Sequence, residues 1–370
     1  MQWVSLGDYI EQCDERNSSA KYTVESVKGV SINKILIDTK ADMTGVSLLP
    51  YKIVRPKEFV FVTITSRNGG KISLAMNNDK NSCIVSSSYE VFRITNPLEL
   101  LPDYLYLWFC RPEFDRYARF NSWGSAREAF SYEDMERVQI PLPDIDEQRK
   151  IVSVWKGLRD LKVQNEVIAE PLFELCQSYL KQLKEEYEPT EIGPYIERYD
   201  EKNSENLIKT VKSVSVTKEF KDTNAKVNKE QLQSYKIVKP RQISFVQTTG
   251  NEKCLCAAIN TFPFPIVVTS VNEVFQTDER FLLPEFLMII FQRKETDRYA
   301  RFHSWGSARE TFTWDDMCRF KIPLPSTEKQ QAIVNIYNCA KEAKDIANKT
   351  EQLIKDICPA LMRQVIGEAS

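Results

Sequence analysis

Two kinds of hydrophobic pattern occur along the chain, and each kind occurs twice. Residues 59–65 and 71–75 are short runs rich in β-branched and aromatic residues, and the turn-forming residues 67–70 lie between them. Such runs on either side of Asn-Gly-Gly predict a β-hairpin. The pattern returns in residues 243–249, which precede a turn at residues 250–251. The first part of each copy is therefore predicted to be rich in β-strands.

Helical spacings follow each β-rich part. A first helix is predicted from Asp103 to about Phe120. Beyond an Ile-Pro-Leu-Pro segment, apolar residues recur at three- and four-residue spacings through residues 144–189, and they do so again through residues 326–370. These two segments predict helices of about 40 residues, each about 60 Å long if straight.

The two long helices carry their own start and break signals. Asp144 is a favourable N-cap residue directly after a proline, and Glu147 completes a predicted capping box. Pro171 and Pro359 predict a kink or a break within each helix. Matched amphipathic helices of this length favour packing on one another as a coiled coil. The alternative is that each helix separately covers its own globular domain.

The recurrence of both patterns reflects a duplication within the chain. Residues 115–152 and 297–334 align at a constant offset of 182, and 24 of these 38 positions are identical. Weaker matches extend further, as between residues 7–11 and 193–197. A period near half the chain length indicates a tandem duplication of a whole domain rather than a solenoid repeat. Two copies in one polypeptide form a pseudo-dimer, which suits a target with two halves.

Length and composition are those of a globular protein with two domains. The chain has 370 residues, 42% apolar and 28% charged, enough for two cores. The longest apolar run, residues 286–291, is too short to span a membrane, and the first residues do not resemble a signal peptide. We therefore expect a cytoplasmic protein whose nine cysteines are buried, reduced thiols.

No catalytic, metal or cofactor motif is kept in both copies. Residues 66–71 lack the first glycine of a phosphate-binding loop, and no Gly-x-Gly-x-x-Gly follows a strand. The acidic cluster at residues 144–147 lies where a helix N-terminus favours carboxylates. The only histidine, His303, is replaced by Asn121 in the first copy, which argues against a general base. We therefore predict no catalytic residue, no metal site and no cofactor.

Local basic charge and one shared motif point instead to nucleic acid. Net charge is −2, yet residues 52–71, 236–253 and 293–309 are each rich in lysine and arginine. The best-kept element is Ser-Trp-Gly-Ser-Ala-Arg-Glu at residues 122–128 and 304–310. Glycine, serine and arginine together can offer N–H groups, a hydroxyl and a guanidinium to phosphate. The structural alternative has the tryptophan as a core anchor, the glycine in a tight turn and the next residues capping a short helix.

At this point the sequence resembles a known family. The features are Gly-Ser-x-Arg at residues 124–127, Ile-Pro-Leu-Pro at 140–143 and Glu147-Gln148 in the helix that follows. They recur at residues 306–309, at 322–325, and as Lys329-Gln330, where lysine replaces the usual glutamate. In combination they resemble the specificity (S) subunits of type I restriction-modification systems. The resemblance covers essentially the whole chain, because the two-copy layout is that family's architecture.

The resemblance implies an α+β fold with two tandem duplicated target-recognition domains, separated by two long helices that pack as an antiparallel coiled coil. It implies a non-catalytic subunit that binds a bipartite double-stranded DNA site and docks methyltransferase (modification) subunits, two in number. Motor-nuclease (restriction) subunits would join the full complex, and no membrane is involved. The predicted boundaries are 1–143 and 190–325 for the target-recognition domains, 144–189 for the central helix and 326–370 for the C-terminal helix. The alternative is a structural or orphan adaptor that binds partner subunits without reading a DNA sequence.

Specificity is expected where the two copies differ. The turn at residues 65–70 has little in common with residues 249–252, and residues 77–88 share little with residues 259–270. We therefore expect two different half-sites and an asymmetric target. The residues predicted to contact DNA are Arg67, Asn68, Lys71, Ser125, Arg127, Asn251, Lys253, Ser307 and Arg309.

Overall fold

The computed structural model describes residues 2–39, 41–65, 69–125, 127–223, 226–248, 254–306 and 310–367. The chain forms two compact units. The first unit comprises residues 1–164 and 346–370, and the second unit comprises residues 165–345. No helix in the described part of the chain is long and apolar enough to cross a membrane.

Among its described residues, the first unit combines ten short strands with three short helices besides its parts of the two long helices. All strand pairs are antiparallel, and β2, β9, β6 and β7 form a four-stranded sheet in that order. Three two-stranded pairs, β1–β10, β3–β4 and β5–β8, complete its β-structure. The strands are β1 (Gln2–Ser5), β2 (Ile10–Cys13), β3 (Lys28–Val30), β4 (Leu36–Asp38), β5 (Lys52–Val54), β6 (Phe59–Val62), β7 (Leu74–Met76), β8 (Cys83–Val85), β9 (Tyr89–Ile94) and β10 (Gln139–Leu142). The helices are α1 (Pro102–Phe109), α2 (Pro112–Phe120) and α3 (Tyr132–Glu136).

Aromatic side chains from the sheet and the helices form the core of the first unit. Phe59 and Phe92 stack at a ring-centroid distance of 5.0 Å, and Phe109 of α1 meets both edge-on. All three side chains are fully buried, and α1 buries every residue from Asp103 to Phe109. The sheet and α1 thus form a rigid base on which α2 and the loops are carried.

After the first long helix, α4 (Ile145–Glu186), the second unit repeats the same order of elements. Its four-stranded sheet runs β12, β19, β16 and β17, and its paired strands are β11–β20, β13–β14 and β15–β18. The strands are β11 (Thr190–Glu191), β12 (Ile196–Tyr199), β13 (Lys212–Val214), β14 (Phe220–Asp222), β15 (Lys236–Val238), β16 (Ile243–Val246), β17 (Ala257–Ile259), β18 (Ile266–Val268), β19 (Asn272–Thr277) and β20 (Lys321–Ile322). The helices are α5 (Pro284–Phe291), α6 (Lys294–Phe302) and α7 (Trp314–Cys318), followed by the long α8 (Thr327–Ile366).

The long helices pair within the second unit. Phe173 of α4 meets Tyr337 of α8 at a ring-centroid distance of 5.6 Å, and Glu186 pairs with Lys329 at 3.3 Å. From the first contact to the second, residue numbers increase in α4 and decrease in α8, so the two segments run antiparallel, as predicted. In the first unit, Lys162 of α4 pairs with Glu351 of α8 at 3.7 Å. The α+β class is confirmed.

One buried glutamine in each unit fixes the start of its long helix. The Gln148 carboxamide accepts from the Leu101 N–H at 2.9 Å and donates to the carbonyls of Glu99 and Pro143 at 2.8 and 3.0 Å. Gln330 makes the three equivalent bonds, at 2.9, 2.7 and 2.9 Å. Both glutamines are fully buried. The glutamine of the Glu-Gln motif therefore joins the long helix to the start of the preceding globular helix.

Two details of the helix prediction are wrong. The helix expected from Asp103 to Phe120 is interrupted between α1 and α2, where Arg111 adopts extended backbone before Pro112. The second unit breaks at the equivalent place without a proline, because Arg293 takes the same extended conformation. Conversely, α4 continues through Pro171, and α8 continues through its proline without a break.

The hairpin and capping predictions are largely confirmed. Strands β6 and β7 pair in the register Phe59 with Met76, and β16 pairs with β17 in the same way. Asp144 caps α4 by accepting backbone N–H groups at 3.0 and 2.9 Å. The described cysteines are all free, but only Cys83 and Cys176 are buried, so the expectation of uniformly buried thiols is wrong.

Candidate nucleic-acid interface

The shared Gly-Ser-x-Arg loop begins at a firmly capped helix end. Asn121 follows the last residue of α2, and its side-chain amide donates to the Tyr117 carbonyl at 2.9 Å. The buried Ser122 hydroxyl donates to the Ala118 carbonyl at 2.6 Å. The Ser122 bond satisfies a carbonyl that the end of the helix leaves open, and the Asn121 amide adds a second donor to the Tyr117 carbonyl, which also accepts the Asn121 backbone N–H at 3.0 Å. The chain therefore leaves α2 in one defined direction.

The base of the loop is closed by backbone hydrogen bonds. Trp123 and Ala129 exchange two N–H to carbonyl bonds of 3.0 and 2.9 Å. Phe130 donates to the Thr63 carbonyl at 2.8 Å, which joins the loop to the chain beyond β6. Gly124, Ser125, Arg127 and Glu128 therefore lie in the tip of a closed loop, and Ser131 caps α3 directly after it through a complete capping box.

Gly124 allows the loop to close. Its φ is +143°, a backbone conformation that residues other than glycine rarely adopt. A Cβ atom added there would lie 2.2 Å from the Arg127 carbonyl oxygen. Gly306 has φ +141° in the second unit. The glycine of the motif is thus required by backbone geometry, as the structural alternative proposed.

The second unit reproduces the capping and closure of this loop. The His303 imidazole takes the place of the Asn121 amide, with its Nδ1 3.0 Å from the Tyr299 carbonyl, where it must act as the N–H donor. Because histidine and asparagine can make the same capping bond, the two copies can differ at this position. The other equivalent bonds are Ser304 Oγ to the Ala300 carbonyl at 2.6 Å, the Trp305–Thr311 pair at 3.2 and 3.0 Å, and the Phe312 N–H to the Gln247 carbonyl at 2.7 Å.

An ion pair ties the far side of the loop back to its helix. Arg119, in the last turn of α2, pairs with Glu128, and Arg301 of α6 pairs with Glu310 in the second unit. All four side chains are partly exposed, so each pair contributes modestly to stability. Because both partners recur, the last glutamate of the motif has a structural role.

A buried lysine–aspartate pair supports the neighbouring loop. Lys34, between β3 and β4, donates to the Asp115 carboxylate at 2.5 Å and to the Ile72 carbonyl at 2.8 Å. Asp115 of α2 also accepts from the Ile72 N–H at 3.2 Å. Burial lowers the pKa of Lys34, and the charge of nearby Lys71 acts in the same direction, while Asp115 opposes both. This pair therefore holds the backbone at Ile72, just before β7.

The lysine–aspartate pair recurs in the second unit, where the carbonyl that the lysine bonds is a different one. Lys218 donates to the Asp297 carboxylate at 2.7 Å and to the Phe291 carbonyl at 2.5 Å. Asp297 accepts from the Leu255 N–H at 3.1 Å, just after residues 249–253. Both lysines have positive φ, +64° for Lys34 and +61° for Lys218. Sequence reasoning missed this pair, although its lysine and its aspartate are present in both copies.

Three of the nine predicted DNA contacts lie in the described part of the chain. Lys71, Ser125 and Arg127 are exposed, and all three belong to the first unit. Ser125 and Arg127 lie together at the tip of the Gly-Ser-x-Arg loop, and Lys71 directly precedes the residue that Asp115 anchors. The other six lie outside the described residues: Arg67, Asn68, Asn251, Lys253, Ser307 and Arg309.

Most of the basic runs are paired with acids rather than free to attract phosphate. The acidic partners come from distant parts of the sequence, so the segments themselves contain more basic than acidic residues. This corrects the expectation that residues 52–71 and 236–253 are basic patches as a whole. The pairs are Lys52–Glu90 at 3.1 Å, Arg55–Glu15 at 2.8 Å, Lys57–Asp103 at 2.8 Å, Lys236–Asp200 at 3.0 Å, Lys239–Glu201 at 2.6 Å and Arg241–Glu279 at 2.8 Å.

The tryptophan of the motif is not a core anchor. Trp123 and Trp305 are each 70% exposed, and the last residues of α2 and α6, Phe120 and Phe302, are 80% and 74% exposed. The structural alternative is therefore wrong for this residue. Among the described residues there is no cluster of three potential metal ligands.

Comparison with known proteins identifies a family for part of the sequence. Residues 51–171 match the model of the type I restriction modification DNA specificity domain. The resemblance to type I specificity subunits is confirmed. This match includes the first Gly-Ser-x-Arg loop, the Ile-Pro-Leu-Pro segment and the first half of α4. No curated protein matches the chain.

Solved structures resemble this chain over nearly its whole length. A type I restriction-modification S subunit from M. genitalium has a TM-score of 0.59 and 14% identity, with 99% of this chain and 96% of that chain covered. At this identity the similarity shows the fold alone. A structure concerning complex assembly and conformational transition of the type I R-M system covers 100% and 98%, with 15% identity and a TM-score of 0.40. The HsdS subunit from Thermoanaerobacter tengcongensis covers 100% and 97%, with 16% identity and a TM-score of 0.39.

Proposed function

We propose that this chain is the sequence-specific DNA-recognition subunit of a type I restriction-modification complex in the cytoplasm. It is non-catalytic, and it binds a bipartite, asymmetric site in double-stranded DNA. It docks two methyltransferase subunits, and motor-nuclease subunits join them in the full complex. The target-recognition domains are residues 1–143 and 190–325, and the long helices are residues 144–189 and 326–370.

One observation carries the proposal: the two units keep the same anchors and change the loop tips. Asn77 donates to the Val54 carbonyl at 3.0 Å, and Asn260 donates to the Val238 carbonyl at 2.8 Å. Between each asparagine and the strand that follows, the chain is polar in residues 78–82 and Thr-Phe-Pro-Phe-Pro in residues 261–265. A scaffold that presents unlike surfaces twice suits a target whose halves differ.

The predicted DNA contacts fall into two groups on this scaffold. Ser125, Arg127, Ser307 and Arg309 belong to the loop that both copies share, so we assign them to phosphates, which carry no sequence information. Arg67, Asn68, Lys71, Asn251 and Lys253 belong to the turns that differ, so we assign them to base edges in the major groove. Lys71, Ser125 and Arg127 are exposed, as either kind of contact with DNA requires.

The surface of α4 supports the docking of helical partners. Val154, Leu161, Ile168 and Leu175 follow one another at intervals of seven residues, and each is 42–51% exposed. A seven-residue interval places side chains on one face of a helix and is typical of a coiled-coil seam. We assign this seam to methyltransferase subunits.

Methylation mapping tests the proposal. The chain is co-expressed with the methyltransferase of its own system, and methylated bases in the host DNA are located by single-molecule sequencing. We expect one bipartite motif with unlike halves. A palindromic motif would contradict the asymmetry, and equal affinity for this motif and a random duplex would favour the adaptor without sequence readout.

A loop exchange sharpens this test. Replacing residues 261–265 by residues 78–82 changes the tip in the second unit while Asn260 and its anchor remain. We expect one half of the methylated motif to change and the other half to stay. The matched control is Asn121→His, which gives the first unit the capping residue of the second unit and should leave the motif unchanged. A change in both halves, or in neither, would contradict the assignment.

A further inference from the structure

The most unusual surface in each unit is the exposed aromatic pair at the end of α2 and α6. Phe120 and Trp123 form it in the first unit, and Phe302 and Trp305 form it in the second; we call these the aromatic pairs. All four side chains are 70–80% exposed. Large aromatic side chains usually bury most of their surface. The same exposure at equivalent positions in both units indicates a shared purpose.

The backbone beneath each aromatic pair is rigid. Between Phe120 and Trp123, the side chains of Asn121 and Ser122 cap α2, and Trp123 is closed onto Ala129 by two backbone hydrogen bonds. The second unit has the same capping and closure through His303 and Ser304. A side chain held on a fixed backbone loses little conformational entropy when it binds, which favours tight contact.

Exposed arginines lie beside the aromatic pairs, and each is held in an ion pair with a glutamate. Arg116 lies one turn before Phe120, is 71% exposed and pairs with Glu113 at 3.3 Å, and Arg298 of α6 is 74% exposed and lies 3.9 Å from Glu295. Arg119 and Arg301 lie next to the phenylalanines, and each is paired with a glutamate of the loop. Exposed aromatic rings beside arginine are the residues that dominate the energy of protein–protein interfaces.

We propose that each aromatic pair docks one protein partner, whose surface offers an apolar pocket. Resting on the proposed function, that partner is the methyltransferase subunit, one copy for each unit. The contact lies beside Ser125 and Arg127, so it brings the partner next to the DNA half-site. It is separate from the seam on α4 and adds a second point of attachment.

Duplex DNA fits the aromatic pairs less well. Phosphates accept hydrogen bonds from arginine and N–H groups, whereas a ring face gives them nothing. Rings inserted between bases would make the same contact at both half-sites, which does not help to distinguish unlike halves. A protein that is present in two identical copies would instead require the same surface twice.

A titration of the methyltransferase tests the inference. Isothermal titration calorimetry compares the wild-type chain with the double variants Phe120→Ala/Trp123→Ala and Phe302→Ala/Trp305→Ala. For each double variant we expect one equivalent of methyltransferase to bind as in the wild type and the second to bind at least tenfold more weakly. The matched controls are Leu98→Ala and Leu207→Ala, because both leucines are 76% exposed and lack an apolar counterpart in the other copy.

Anisotropy with labelled duplex DNA is measured on the same variants without the methyltransferase, and we expect unchanged affinity. Wild-type affinity of both equivalents in both double variants would overturn the inference while leaving the proposed function intact. Loss of DNA affinity with unchanged methyltransferase binding would also overturn it and assign the rings to DNA. If the wild-type chain bound no methyltransferase, the docking part of the proposed function would fail, and this inference would fail with it.

Discussion

Substitution of Gly124 by alanine tests whether the shape of the shared loop matters for DNA binding. The added Cβ would lie 2.2 Å from the Arg127 carbonyl oxygen, whereas real Cβ contacts are essentially never shorter than 3.0 Å. The oxygen would have to move by about 1 Å, and alanine at a φ of +143° adds strain of about 1–3 kcal/mol. We therefore expect the present loop conformation to lose about 2 kcal/mol or more.

That loss predicts the size of the binding defect. If the competent loop becomes about 2 kcal/mol less stable than a displaced conformation, roughly 3% of molecules retain it. The apparent affinity for DNA then falls by up to about thirtyfold. Loss of the Arg127 contact to a phosphate should also reduce the slope of log affinity against log salt by about 0.9. Fluorescence anisotropy with the cognate duplex at four salt concentrations measures both quantities.

Gly157 provides the control for this substitution. It lies within α4, and a Cβ added there meets nothing within 4 Å. Gly157→Ala should therefore stabilise the helix by about 0.5–1 kcal/mol and leave DNA binding unchanged. If Gly124→Ala bound DNA with wild-type affinity and wild-type salt dependence, the loop would not contact phosphate in this conformation.

Three further predictions concern the scaffold. Gln148→Leu should lower the free energy of unfolding, measured in urea, by about 2–4 kcal/mol, because three buried backbone groups lose their partner. Substitution of the exposed Gln331 by alanine should change the free energy of unfolding by less than about 0.5 kcal/mol. Equal effects of the two substitutions would contradict the anchoring role of Gln148. Asp115→Asn should lower the free energy of unfolding by about 3–5 kcal/mol, because the buried Lys34 loses its charged partner. Hydrogen exchange at the backbone around Ile72, which Asp115 anchors, should accelerate, and an unchanged exchange rate would refute the anchoring role. With a thiol reagent at pH 8, the exposed Cys339 should react long before Cys83, because burial raises the pKa of Cys83 to about 11. If the two thiols reacted at comparable rates in the folded protein, Cys83 would be accessible to the reagent.

The sequence was sufficient for features whose signal is local or repeated. Caps such as Ser131 and Asp144, the hairpin of β6 and β7, and the two long helices each depend on residues close together in the chain. The break between α1 and α2 was missed because the apolar spacing continues across it, and the second copy has no proline to mark it. In both units the break is set by one residue in extended backbone, which packing of the two short helices requires.

The surface was harder to predict than the fold. Lys52 and Lys57 looked available for phosphate, but their partners Glu90 and Asp103 lie 38 and 46 residues away and only folding brings them together. The exposure of Trp123 was missed for a different reason: tryptophan is usually buried, and nothing in the local sequence shows which side of a closed loop it will face.

The pairing of shared anchors with unshared tips has a consequence for how such a chain can change its target. Lys34, Asp115 and Asn77 bond mainly to backbone atoms and to each other, so these anchors of the first unit do not depend on the identity of the exposed side chains at its loop tips. Substitutions at exposed tip positions usually alter stability by less than about 0.5 kcal/mol. Recognition can therefore diverge between the two units at small cost in stability, whereas the Gly-Ser-x-Arg loop, which we propose meets the same phosphates and the same partner in each unit, cannot.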